Sequence, residues 1–138
     1  MITIKKNRAG VTTFFLTEQP KTSRLEKSEA VDFYQHAMHK RPGINLFHVA
    51  NESVSKMQHR KNLKQAGVKS GVSDYLLLAP NSKYNFLAIE LKRARKSDSS
   101  VSANQNEFIK SVENMGGFGC VCYGYQAALL ALDEYLKE

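Results

Sequence analysis

Residues 71–96 read GVSDYLLLAPNSKYNFLAIELKRARK, and this stretch decides the fold. Tyr75 to Ala79 and Asn85 to Leu91 are apolar runs of strand length, split by Pro80-Asn81-Ser82-Lys83-Tyr84, which has the chemistry of a short turn. An antiparallel strand pair turning around Ser82 sets Asp74 across from Glu90. Side chains alternate along a strand, so Glu90 and Lys92 share one face while Ile89 and Leu91 take the other. Two carboxylates placed opposite each other repel, and both are costly to desolvate unless a cation lies between them. Carboxylate oxygens suit hard Mg2+ or Mn2+, which keep several waters and accept phosphate oxygens.

Glu-x-Lys alone reads equally well as a solvated pair on an edge strand, and Asp74 as a turn cap. The order of the pieces is more specific: Gly71-x-x-Asp74 opens one hydrophobic run and Glu90-x-Lys92 closes the next. This arrangement resembles the core of the PD-(D/E)xK nuclease superfamily, and within it the virus-type replication-repair nuclease (VRR-NUC) branch, over roughly Glu29 to the C-terminal helix. The family's usual Gly-x-Pro-Asp stands here as Gly71-Val72-Ser73-Asp74, which changes the stiffness of the turn and keeps the carboxylate. The resemblance implies a metal held by Asp74, Glu90 and the backbone carbonyl of Leu91, with Glu29 helping directly or through water. It gives Lys92 the orientation of the attacking water and implies products with a 3′-hydroxyl and a 5′-phosphate. Stand-alone family members form dimers that resolve four-way junctions, whereas fused ones act as flap nucleases.

With 138 residues, 42% hydrophobic and 24% charged, the chain fits a single domain, 1–138, in which 1–20 form an extension. Lys and Arg number 20 against 13 Asp and Glu, a net charge of +7, which favours a polyanionic partner such as DNA. Cys120 and Cys122 alternate within an apolar run and fit a reduced core better than a zinc site, since no C-x-x-C spacing occurs. No apolar leader and no membrane-length segment is present, so a soluble, cytoplasmic, DNA-associated protein is expected.

Along the chain, Ile2 to Ile4 and Val11 to Leu16 suggest a hairpin. Ser23-x-x-Glu26 reads as a capping box opening a helix to about Lys40, ended by Arg41-Pro42-Gly43. Glu29 lies four residues from Leu25 and Phe33, inside the apolar stripe; the bland account is an acid favoured by the helix dipole. Ile44 to Ala50 is the first core strand, ending at Asn51, which matches a family asparagine. The helix from about Val54 to Ala66 is basic: Arg60, Lys61 and Lys64, with Lys69 beyond it, suit phosphate contacts, although a solvated face has the same composition. Arg93, Arg95 and Lys96 open a loop expected to be mobile and to track a DNA backbone. Ser102 to Met115 is a helix in which Gln105 either completes a capping box or reaches the carboxylates, as a glutamine does in the family's fourth motif. Phe118 to Tyr123 is the last strand and Gln126 to Leu136 a closing amphipathic helix. The order gives an α/β fold with a restriction-endonuclease-like αβββαβ core, a mixed sheet flanked by helices.

Other chemistries find no support. His36, His39, His48 and His59 lack an H-E-x-x-H frame, and no G-x-S-x-G elbow, P-loop or G-x-G-x-x-G occurs. The expectation is a Mg2+- or Mn2+-dependent endonuclease acting on branched DNA as a homodimer, because no helix-turn-helix or zinc finger is there to read sequence. The rivals are a non-catalytic basic DNA-binding module and a flap or nicking nuclease without junction preference.

Overall fold

The computed structural model describes residues 1–50 and 57–137, with only the backbone described over 57–59. Its centre is a six-stranded sheet in the order β1-β2-β6-β5-β4-β3. The strands are β1 (Ile2–Lys6), β2 (Thr12–Leu16), β3 (Leu46–His48), β4 (Tyr75–Leu77), β5 (Leu87–Lys92) and β6 (Phe118–Tyr123). The helices are α1 (Glu26–Lys40), α2 (Met57–Gln65), α3 (Ala103–Asn114) and α4 (Tyr125–Leu136).

Strand β5, LAIELK, is buried along its whole length between β4 and β6, so both of its faces are covered. Leu87, Ile89 and Leu91 point into the larger core with Cys120 and Cys122 of β6, Phe33 and Ala37 of α1, and Ala128 and Leu132 of α4. The opposite face is packed by Ile109 of α3 against Val121, Tyr123 and Val11. Each fully buried Leu or Ile contributes about 1.5–3 kcal/mol, so this double-sided burial holds β5 in one register. Glu90 and Lys92 therefore have to face α3 while lying inside the protein.

The antiparallel pairing is Tyr75↔Ile89, Leu76↔Ala88 and Leu77↔Leu87, the register expected from a turn centred on Ser82. Asn81 makes that turn: its Oδ1 accepts the amides of Lys83 and Tyr84. From β5 the chain crosses through α3 to β6, which lies parallel beside it with Leu91 opposite Cys122. The amino-terminal hairpin belongs to the same sheet. Strand β2 runs parallel to β6, and Val11 and Phe14 are core residues.

Two local expectations differ from the structure. The Ser23-x-x-Glu26 capping box does not form; helix α1 starts at Glu26 with no side-chain cap. Ser23 is engaged elsewhere, its hydroxyl accepting the Arg95 amide. The loop after β5, expected to follow a DNA backbone, is tied down. Arg93 donates to the carbonyls of Ser23 and Arg24, and Lys96 Nζ sits 3.8 Å from the centroid of the Phe15 ring. Arg95 lies 3.9 Å from Asp98 within a short 3-10 turn. These cations join the stretch before α1, β2 and the loop after β5 to one another, and that fixes where α1 begins.

Candidate active site

Asp74 closes the sheet at the mouth of a cleft. Its carbonyl accepts the Val49 amide, and its Oδ2 accepts the Leu91 N–H at 2.7 Å, so one residue continues the ladder on both sides. The approach to Asp74 depends on Gly71, whose φ of +84° suits glycine. A Cβ there would lie 2.6 Å from the backbone of Asn104, so the loop leans directly on the start of α3.

Glu90 is 3% exposed and its Oε1 has no hydrogen-bond partner. Its Oε2 accepts Gln105 Nε2 at 3.1 Å, while Lys92 Nζ lies 3.9 Å away. Gln105 Oε1 in turn accepts Lys92 Nζ at 3.0 Å and the Ser102 amide at 2.9 Å. Both readings of Gln105 thus hold geometrically: it completes the α3 capping box with Ser102 and it bridges Glu90 and Lys92. Burial first, then the Asp74 carboxylate, pushes the Glu90 carboxyl up to about 9.

This raised value has a measurable effect on stability. The unfolded chain ionises Glu90 in the ordinary carboxylate range, near 4.5, whereas the folded protein keeps its proton up to about 9. Without metal, the contribution of Glu90 to stability should be highest below that ordinary range, fall as pH rises toward 9, and level off above it. Glu90→Gln replaces the acid by a neutral isostere. In EDTA at about pH 8 the variant should melt at a higher temperature than wild type and lose most of the slope with pH. Equal melting curves across the range would mean that Glu90 does not carry this strain.

The cleft, about 1120 Å3, is lined by Asp74, Glu90, Leu91 and Gln105 together with Glu26, His48, Arg60 and Lys64. Glu26 was passed over in the sequence because it reads as the third residue of a capping box. In the fold it is the first residue of α1 and stands at the cleft rim. Partial enclosure, and then Asp74, raises its pKa.

Glu29, expected beside the metal, is not brought to this cluster. It is buried on another side, where Arg24 Nη2 and the Tyr125 amide both bond its Oε1, at 2.9 and 3.0 Å. It ties α1 to the start of α4, and the apolar neighbours that suggested a site mark a structural ion pair. Of the basic residues, Arg60 and Lys64 face the cleft, and Lys61 and Lys69 are exposed. Arg93, Arg95 and Lys96 make the internal contacts described above. Asn51 lies outside the described residues.

A divalent cation fits what is present. Burial and the Asp74 carboxylate hold a proton on Glu90 in the metal-free fold, and a cation between the two acids would take that proton's place at the orphaned oxygen. Among the described residues no group of three or more His, Cys, Asp or Glu side chains is arranged to hold a metal ion. Mg2+ and Mn2+ take one or two carboxylates and complete their shell with water and phosphate.

The mixed sheet with helices on both faces, and acids on two adjoining strands followed by a lysine, define a restriction-endonuclease-like α/β protein. The VRR-NUC domain model matches residues 23–126, and the chain belongs to that family, which is of nuclease type. A solved VRR_NUC domain protein shares the fold, with a TM-score of 0.70 over 84% of this chain and 91% of its own, at 19% identity. No curated protein matches the chain in sequence.

Proposed function

We propose that this chain is a Mg2+- or Mn2+-dependent DNA endonuclease. The observation that carries the reading is the cluster of half-buried Asp74 with buried Glu90 and Lys92, its two carboxylates opening on a cleft with cations on its wall. Asp74, Glu90 and the Leu91 carbonyl would hold the cation, with Glu26 rather than Glu29 close enough to assist. When bound, it supplies an acidified water and charge neutralisation at the phosphate. The chain's own residues do the rest. Leu91 N–H fixes the Asp74 carboxylate, Gln105 fixes Glu90 and Lys92 relative to each other, and the Lys92 ammonium faces the charge that develops on the phosphate.

Arg60, Lys61, Lys64 and Lys69 would contact DNA phosphates. Charge reversal at Lys61 and Lys64 together should raise the KM for DNA and change kcat little. Each lost contact should flatten the slope of log K against log salt by about one unit. An unchanged salt slope would make this face merely solvated.

The favoured substrate is branched DNA, a four-way junction first, cut by a homodimer whose two-fold axis matches that of the junction. The amino-terminal hairpin and the closing helix, with Ala127, Leu130 and Tyr135, are the two candidates for the dimer surface; α4 buries Ala127 and Tyr135 in the core and leaves Leu130 half-buried. The hairpin remains: β1 is an edge strand and Ile4 is 51% exposed. The test compares a four-way junction with a linear duplex of the same sequence, with Mg2+ and with EDTA, alongside light scattering. Cation-dependent cutting of the junction by a dimer is expected. No cutting of any DNA with Mg2+ or Mn2+ defeats the nuclease reading. Equal rates on both DNAs, or a monomer, remove junction selectivity alone.

A further inference from the structure

Phe47 and Val68 are large apolar side chains left 38 and 37% exposed, and both line the cleft that holds Asp74 and Glu90, as does half-buried Leu63. Single exposed apolar residues need no explanation, but a concave apolar wall beside carboxylates does. Phe47, Leu63 and Val68 come from β3, α2 and the stretch before β4. Leu46, next to Phe47, points into the core, so strand alternation stands the Phe47 ring outward. Arg60 and Lys64 line the same cleft.

One concavity thus offers carboxylates, cations and an apolar surface with an aromatic ring. A paired duplex could use the first two, but its bases are stacked and paired inside the helix and give the apolar wall nothing to bind. An unpaired nucleotide presents a phosphate and, beside it, a flat apolar base face, which matches all three surfaces. The cleft is also far larger than a hydrated cation and one phosphate require.

We propose that the Phe47–Leu63–Val68 wall receives an unpaired nucleobase of the DNA, next to the scissile phosphate. The substrate class is then DNA that has, or cheaply yields, an unpaired nucleotide at the cut, as a branch point does. The identification of the ligand as DNA rests on the nuclease reading of the cluster.

The test uses the full chain in EDTA, with 2-aminopurine at the branch nucleotide of a flap DNA and in the same strand fully paired. Wild type should bind the flap more tightly than the duplex and change the 2-aminopurine fluorescence of the flap alone. Phe47→Ala should cut the flap-to-duplex affinity ratio by about tenfold and abolish the fluorescence change, while Phe47→Tyr keeps both. Val68→Asp, which charges the same wall from another segment, should reproduce the loss. An unchanged ratio in both Phe47→Ala and Val68→Asp, or equal losses on both DNAs, overturns the proposal. These readouts need neither cation nor turnover. A protein that passes them yet never cuts with Mg2+ or Mn2+ defeats the nuclease reading alone, and one that cuts but shows an unchanged ratio defeats the base wall alone.

Discussion

Glu90→Ala and Asp74→Ala should each lower cleavage by about a thousandfold or more, because losing a metal ligand forfeits several kcal/mol of charge stabilisation at about 1.36 kcal/mol per decade. Neither should unfold the protein. Glu90 is buried with an unpartnered oxygen and a pKa pushed up to about 9, so truncating either acid removes a charge conflict that the metal-free fold resolves only by holding a proton on Glu90. The cost to set against this is the cavity left at Glu90 and, for Asp74, the Leu91 amide that loses its acceptor. Asp74→Ala should therefore gain less thermal stability than Glu90→Ala, or none. DNA binding in EDTA should hold or tighten, since a carboxylate facing phosphates is removed. Near wild-type cleavage by either variant would mean that the metal site is misassigned, whereas loss of binding along with cleavage would place the acid in the fold rather than the chemistry.

The central hairpin was legible in the sequence because two independent signals agreed on it. Turn chemistry at Pro80-Asn81-Ser82 and double-sided apolar runs both called for the register in which Tyr75 pairs with Ile89. The parallel crossover to β6 followed, since a buried strand that leaves through a helix can return only beside its neighbour. Gln105 was legible as well, because capping spacing and facial position are both local properties of α3.

What the sequence hid depends on contacts between distant segments. Glu26 and Glu29 lie three residues apart on one helix, and periodicity favours Glu29 as the inward-facing acid. It does face inward, but toward Arg24 and the Tyr125 amide. Which acid reaches the cleft is decided by where α1 begins, and that is set by Arg93 and Arg95 gripping Ser23 and Arg24 across about seventy residues of chain. The same grip explains why the basic run after β5 looks like a DNA-tracking loop in sequence and is a set of internal clamps in the fold. Composition records charge; it does not record the partner.

Lys92→Met should reduce cleavage by about a hundredfold to a thousandfold, the usual effect of removing one donor aimed at developing negative charge in a water-poor site. Lys92 is 7% exposed and of similar length to methionine, so the substitution keeps the packing and removes the charge. Its effect on metal binding is a balance of two opposed terms in the electrostatics. The ammonium holds the Glu90 pKa down, so losing it favours the protonated acid and weakens binding at neutral pH. It also repels a cation at the same cluster, so losing it favours binding. Mn2+ should therefore still bind within about an order of magnitude of wild type, with affinity rising more steeply with pH. Lys92→Arg should not rescue turnover, because a planar guanidinium cannot take the place of a compact ammonium held between Gln105 Oε1 and Glu90. Calorimetric titration with Mn2+ beside single-turnover cleavage separates the roles. Full cleavage by Lys92→Met would remove the lysine from the chemistry, and complete loss of Mn2+ binding would make it a support of the metal site instead.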